Sequence, residues 1–148
     1  MKIFFGSDHA GFEYKKELIP YVESLGFETA DLGAHTLNEE DDYPEFIANA
    51  AREVMNSESS KGVILGGSGQ GEAMVANRFR GIRAAVYNTQ NLDIVRVARE
   101  HNDANMLSLG ARFITLEHAK EAVKLFLETP FSEEERHIRR IRQIDEYA

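Results

Sequence analysis

Apolar residues along the chain come in two periods that alternate. Residues 2–6 (Lys2, Ile3, Phe4, Phe5, Gly6) form a short apolar run, the pattern of a strand buried on both faces. Residues 12–25 place Tyr14, Leu18, Val22 and Leu25 at three- and four-residue steps, which predicts a helix stopped by Gly26. Residues 27–32 alternate and read as a second strand nearer a sheet edge. A polar loop, 33–42, contains the acidic run from Asn38 to Asp42. Tyr43-Pro44 then opens a helix to about Met55, with proline tolerated in its first turn. A third strand is predicted over 61–66, a helix from the following glycine loop to about Phe79, and a fourth strand over 82–87. Leu92, Val95 and Ala98 mark a helix over 89–100. A short fifth strand over 106–109 ends at Gly110-Ala111-Arg112, and Leu116, Ala119, Val123 and Phe126 mark a helix over 116–127. Pro130 breaks the chain. Ser132, with Glu135 three residues on, reads as a capping box for a last helix to about Tyr147.

Strands that alternate with helices imply a parallel sheet covered on both sides, a three-layer, Rossmann-like α/β fold with five strands. Neither an internal repeat nor a linker interrupts it, so one domain over residues 1–148 is expected. With strand order two-one-three-four-five, strands one and three are neighbours and the loops at their carboxyl ends face each other, where such sheets bind ligands. The last helix carries Ile138, Ile141, Ile144 and Tyr147 on a narrow stripe with charge elsewhere. Such a helix is expected to lie on a dimer partner.

The third strand runs into Gly66-Gly67-Ser68-Gly69-Gln70-Gly71-Glu72, with four glycines in the six residues 66–71. Strand, glycine loop and helix in that order build an anion site from main-chain N–H groups. The Gly67, Gly69, Gly71 spacing is one residue short of the dinucleotide fingerprint, and no Gly-Lys-Ser/Thr follows. Glu72 on the lip of such a loop places a base beside an oxyanion hole, which suits proton abstraction next to a carbonyl. The competing readings are a glycine turn required by sterics and an exposed first-turn glutamate.

Bulk properties narrow the partners. A net charge of −8 over 148 residues argues against a general nucleic-acid or anionic-membrane surface. A local arginine cluster remains compatible with a small anion. The absence of cysteine removes disulfides, thiolate metal sites and cysteine nucleophiles. The start of the chain turns polar too quickly for a signal peptide, and there is no long apolar run, so a cytoplasmic location is expected. The five histidines lack ligand spacing in sequence, so no metal and no cofactor is expected.

Seven segments, in order and almost end to end, resemble the type B ribose-5-phosphate isomerases, which share their fold with the galactose-6-phosphate isomerases. They are Gly6 to Phe12, Asp42-Tyr43-Pro44, the glycine loop through Asn77, Gly81 to Ala84, Arg99 to Asn105, Leu109 to Arg112, and Arg136 to Arg140. Many members have a cysteine base at the position of Gly66. A subset best known from actinobacteria has this chain's glycine pattern and uses the glutamate. The resemblance therefore implies Glu72 as base, with the amides of Gly67, Gly69 and Gly71 and the Ser68 hydroxyl as oxyanion donors. It further implies Asp8 on sugar oxygens, His9 near the phosphate, Tyr43 beside the sugar, and His101 and Asn102 in ring opening and enediolate contact. Arg112, Arg136 and Arg140 are the implied phosphate ligands.

Each residue also has a plainer reading. Asp8 would cap the following turn, Ser68 would bond its own loop, Tyr43 would pack before Pro44, His101 would close a helix, and Arg136 and Arg140 would pair with nearby acids. His101 and Asn102 precede the fifth strand and so belong to the amino edge of the sheet, opposite their own subunit's pocket. The expectation is a homodimer with shared sites, a dimer of dimers being left open. The expected reaction is the interconversion of ribose 5-phosphate and ribulose 5-phosphate through a cis-enediolate. A six-carbon substrate (allose or galactose 6-phosphate) and a non-catalytic flavodoxin-like module that binds a phosphorylated ligand are the alternatives.

Overall fold

The computed structural model describes residues 1–148. Its five strands are β1 (Lys2–Ser7), β2 (Glu28–Asp31), β3 (Lys61–Gly66), β4 (Ala84–Tyr87) and β5 (Met106–Gly110). Its helices are α1 (Phe12–Ser24), α2 (Tyr43–Met55), α3 (Gln70–Ala76), α4 (Asp93–Asn102), α5 (Leu116–Glu128) and α6 (Glu135–Asp145), with one 3₁₀ turn at His9–Gly11. All strand pairs are parallel.

The sheet order is β2-β1-β3-β5-β4, which corrects the expected two-one-three-four-five at its far end. Every residue of β5 is buried, whereas Ala84, Ala85 and Val86 of β4 are only half-buried. The strand with more apolar surface to hide takes the inner place, and the alanine-rich strand takes the edge. The adjacency on which a site at the strand ends depends is present: β1 and β3 pair, with Gly6 opposite Ile64 and Ser7 opposite Leu65.

Alternation along the central strands sorts the core into two layers. Ile3, Phe5, Val63, Leu65, Leu107 and Leu109 point to one face and meet Leu18, Val22, Val95, Ala119, Val123 and Phe126 of α1, α4 and α5. Phe4, Ile64 and Met106 point the other way and meet Ile47, Ala50, Ala51 and Val54 of α2 with Ala76 of α3. A buried cation stitches β2 to this frame. Lys15 Nζ donates to Asp31 Oδ1 and to the Ala34 carbonyl, both at 2.6 Å.

The capping box at Ser132 does not form. Ser132 Oγ accepts from the Glu134 N–H at 3.4 Å, and Glu133 takes a positive φ of 60°, so the helix starts only at Glu135. The bend at Glu133 breaks the geometry through which Ser132 would reach the third helical position. The expected helix over 89–100 also starts late, at Asp93, because Asn91 bonds back to Thr89 Oγ1 and caps the Asp93 N–H at 3.1 Å. The apolar stripe of α6 is only partly covered in this chain: Ile138 and Ile141 are half-buried, whereas Ile144 is 50% and Tyr147 92% exposed. No helix is long and apolar enough to cross a membrane.

Candidate active site

β3 delivers Gly66 to the carboxyl edge of the sheet, and the chain turns through Gly67-Ser68-Gly69 into α3. Gly69 makes the turn with φ of +80°, a conformation that L side chains rarely adopt. Ser108 of the neighbouring β5 and Asn88, just past β4, hold the loop's carbonyls: Ser108 Oγ donates to Gly69 O at 2.7 Å, and Asn88 Nδ2 donates to Ser68 O at 3.0 Å. The Gly66 and Gly67 carbonyls accept from the N–H groups of Ala111 and Arg112 at 2.9 and 3.0 Å. With its carbonyls fixed in this way, the loop leaves the N–H groups of Gly67 and Ser68 without an acceptor in the chain. That is the donor array an anion site needs.

Glu72 lies in the first turn of α3 and is 4% exposed. Its carboxyl group packs against Gly66, in the space a side chain there would fill. Burial pushes its pKa above the usual carboxylate range, and the charge of Asp8 pushes the same way. The main-chain N–H groups of Glu72 itself and of Gly69 act against that rise. Desolvation is the largest of these influences.

From β1, Ser7-Asp8-His9 enters the same space. Asp8 Oδ1 accepts from the Ala10 N–H at 3.0 Å, so Asp8 does cap the 3₁₀ turn, and it is 6% exposed. His9 is fixed by a residue that gave no signal in the sequence, Asp41, whose Oδ1 accepts from the His9 main-chain N–H at 3.0 Å and meets ring Nδ1 at 2.7 Å. That bond raises the His9 pKa, with smaller help from the charge of Asp8 and against burial and Arg112. Tyr43, at the start of α2, lays its hydroxyl against Gly71, where a β-carbon would collide with it. Arg112 runs along Gly67. The Ser68 hydroxyl accepts from the Gln70 N–H at 3.1 Å, so here it serves its own turn.

These pieces enclose a cleft of about 440 Å³, lined by Asp8, His9, Ala10, Tyr43, Gly67, Ser68, Gly71, Glu72, Arg112 and Phe113. Eight of the candidates named from sequence thus meet in one place, and Gly69 is buried in the loop beneath them. Phe113, 63% exposed at the rim, was not singled out; its position directly after Arg112 was the available clue. Along the sequence the histidines lie scattered, without ligand spacing. The fold amends this, because Asp8, His9 and Asp41 bring one ligand atom each within 4.8 Å of one another. The spacing signal fails because Asp41 lies 32 residues from His9.

His101, Asn102, Arg136 and Arg140 do not join this cleft. The helix α4 ends at Asn102 and β5 begins at Met106, which pairs with Gly62 and Ala84 at the amino edge. A five-residue strand separates the two edges by about 15 Å. The His101 ring stacks on His137 of α6, centroids 4.2 Å apart and 15° between planes. His137 is 4% exposed, and burial, then His101 and the arginines of α6, lowers its pKa. Arg136 Nε donates to Glu134 Oε2 at 3.0 Å, as its plainer reading had it, and Arg136 and Arg140 are both exposed.

A parallel five-stranded α/β fold that sets a buried carboxyl beside a glycine-loop donor array has the parts of an enzyme that moves a proton next to a carbonyl. The particular family follows from comparison: the chain belongs to the Ribose/Galactose Isomerase family, whose profile matches residues 3–144. Ribose-5-phosphate isomerase B of Mycolicibacterium paratuberculosis is 40% identical over 147 residues, covering 99% of this chain and 91% of the relative. Among solved structures, ribose-5-phosphate isomerase B of Clostridium thermocellum superposes with a TM-score of 0.93 at 39% identity, covering 99% of this chain and 97% of the other. The Mycoplasma genitalium enzyme, solved with bound ribulose-5-phosphate, superposes with a TM-score of 0.93 at 35% identity, covering 99% and 95%.

Proposed function

We propose that this protein interconverts ribose 5-phosphate and ribulose 5-phosphate with Glu72 as the base. The observation that carries the reading is the Glu72 carboxyl, buried at the end of β3 and sharing a cleft with the Gly67–Ser68 donors, Asp8, Tyr43 and Arg112. In the open-chain aldose the Glu72 carboxylate takes the proton from C2. The C2–H electron pair forms the C1–C2 double bond, and the C1 carbonyl pair becomes an oxyanion. The glycine-loop N–H groups and the Ser68 hydroxyl bind that cis-enediolate oxygen; one donor of this kind contributes about 3 kcal/mol in other enzymes. The proton on O2 passes to O1, and Glu72, now protonated, returns its proton to C1 to give the ketose. A carboxyl whose pKa is raised toward neutrality suits a group that must both take and return a proton.

Asp8 and Tyr43 fit the sugar hydroxyls in this scheme, and His9 and Arg112 the phosphate. His101 for ring opening, Asn102 on the enediolate, and Arg136 and Arg140 on the phosphate belong to the same scheme only if they come from a second subunit. Support for a homodimer is the exposed stripe of α6 and the half-buried face of the edge strand β4.

The test is turnover on ribose 5-phosphate, allose 6-phosphate and galactose 6-phosphate, with wild type and Glu72→Gln. Expected is preference for the five-carbon sugar and a loss of about a hundredfold or more in kcat for the variant, the range for removing a general base. A six-carbon preference would transfer the reading to that substrate. Binding without turnover in wild type would leave a phosphate-ligand module.

A further inference from the structure

Asp41 sits in an acidic run, Asn38-Glu39-Glu40-Asp41-Asp42, whose default reading is a solvated loop. The fold treats it otherwise. Asn38 organises the turn, its Oδ1 accepting from the Glu40 N–H at 3.1 Å and its carbonyl from the Asp41 N–H at 3.1 Å. The turn delivers the Asp41 side chain inward, where it is 9% exposed. Its Oδ1 holds both the main-chain N–H and the ring Nδ1 of His9, while its Oδ2 is buried with no partner. Burying a carboxylate costs several kcal/mol unless a countercharge and hydrogen bonds compensate it. Its one close cationic partner is the His9 imidazole, so the arrangement repays that cost when His9 is charged.

We infer that Asp41 is a positioning residue for His9: one of its oxygens holds both the His9 main-chain N–H and the ring Nδ1, keeps a proton on Nδ1, and leaves Nε2–H of the protonated ring as the donor presented to an anion in the cleft. The identity of that anion as the substrate phosphate rests on the isomerase reading above; the clamp itself does not. The charged neighbours of the ring are Asp41 at 2.7 Å, Asp8 at 3.9 Å and Arg112. The two carboxylates offset Arg112, so that two cationic groups can stand together on the side of the cleft that takes a dianion. Without Asp41 the imidazole would face Arg112 with only Asp8 as counterion. It would also revert to the Nε2–H tautomer that free imidazole prefers, and its rotation would be unrestrained. In that state the neutral Nε2–H could still donate into the cleft, but the ring would be neither fixed in direction nor held in its cationic form.

Imidazole nitrogen NMR on the full-length protein tests this, with wild type, Asp41→Asn and Asp41→Ala, and with inorganic phosphate as the probe. In wild type His9 is expected to carry a proton on Nδ1 across the titration and to lose its charge at a higher pH than in either variant. Asp41→Asn keeps an acceptor but no charge, so it should keep the Nδ1–H tautomer while losing charge earlier; Asp41→Ala should lose both. Phosphate affinity should fall about tenfold in Asp41→Ala, with Asp41→Asn between. With ribose 5-phosphate the same order should appear in KM, with kcat changed less than threefold. A His9 spectrum that is the same in all three proteins overturns the proposal, as does phosphate affinity unchanged in Asp41→Ala. If wild type failed to turn over ribose 5-phosphate while the NMR and phosphate results held, the isomerase reading would fall and the clamp would stand.

Discussion

Glu72 occupies the place of a side chain at Gly66. A β-carbon built on Gly66 overlaps Oε1 and Cδ of the Glu72 carboxyl group. The strand end can carry a side chain, or the first turn of α3 can carry an inward carboxyl, but the two exclude each other. Resemblance to the type B isomerases brings in a branch with cysteine at this position. The overlap gives a steric reason why a side chain at the strand end and an inward carboxyl from α3 are alternatives at one point in space.

That overlap makes Gly66→Ala informative. Gly66 pairs with Gly110 inside the sheet, and a strand residue tolerates alanine in backbone terms. The added methyl should leave the fold intact and evict the carboxyl. Turnover is expected to fall about as far as in Glu72→Gln, a hundredfold or more, with far-UV circular dichroism unchanged. Undiminished turnover in folded Gly66→Ala would mean that the carboxyl works from somewhere else.

Most of the frame was legible because it rests on period. α2 and β3 have the bounds that the apolar spacing and Pro44 marked, and the order strand, glycine loop, helix put Glu72 at the strand end. The place of β5 was not legible, since adjacency in the sheet depends on which strand hides more surface, and Met106-Leu107-Ser108-Leu109 outcompetes Ala84-Ala85-Val86 only when both are compared in the same sheet. Asp41 was not legible either. Within Glu39 to Asp42 nothing in composition separates the one acid that turns inward, because the Asn38 turn selects it. Ser68 shows a further limit: a hydroxyl that bonds its own loop and one that awaits a substrate have the same sequence.

Glu72 also links stability to pH. Its pKa is raised in the folded protein, mainly by burial, so between the unfolded and folded values the native state binds more protons than the unfolded chain. The stability this contributes is complete below the unfolded value, near 4.5. It is lost as pH rises through the higher folded value. Glu72→Gln removes the titration and keeps the shape. Urea midpoints should therefore show the variant gaining on wild type as pH rises from about 4 to 8. A difference independent of pH would remove desolvation of Glu72 as the cause.

The Lys15–Asp31 pair makes a separate claim about stability. Lys15 is 1% exposed, and its two hydrogen bonds tie α1 to the end of β2. Burial lowers its pKa against the pull of Asp31. Asp31→Ala leaves the ammonium with the Ala34 carbonyl alone and should cost about 1–3 kcal/mol. Combining it with Lys15→Met, which removes the buried charge, should recover part of that loss. Urea unfolding of the two single variants and the double variant measures the coupling, and strict additivity would mean that the pair contributes nothing of its own.

The position of His101 makes the assembly testable. Its ring lies against His137 at the amino edge, and the Glu72 cleft opens at the carboxyl edge of the same sheet. If both groups act on one sugar, they come from different chains. Glu72→Gln and His101→Ala homodimers are then each defective at both sites, for different reasons. A mixed dimer of a Glu72→Gln chain with a His101→Ala chain should contain one site with both defects and one with neither. It should recover up to about half of wild-type activity per dimer, diluted by the statistics of exchange. Tagging the two chains differently and isolating the heterodimer removes the dilution. The exposed α6 stripe supplies the control: a charge at Ile144, 50% exposed here, should weaken association and lower activity in parallel. Activity that stays at the level of the parent variants in the purified heterodimer would confine the chemistry to one chain and take His101 out of it.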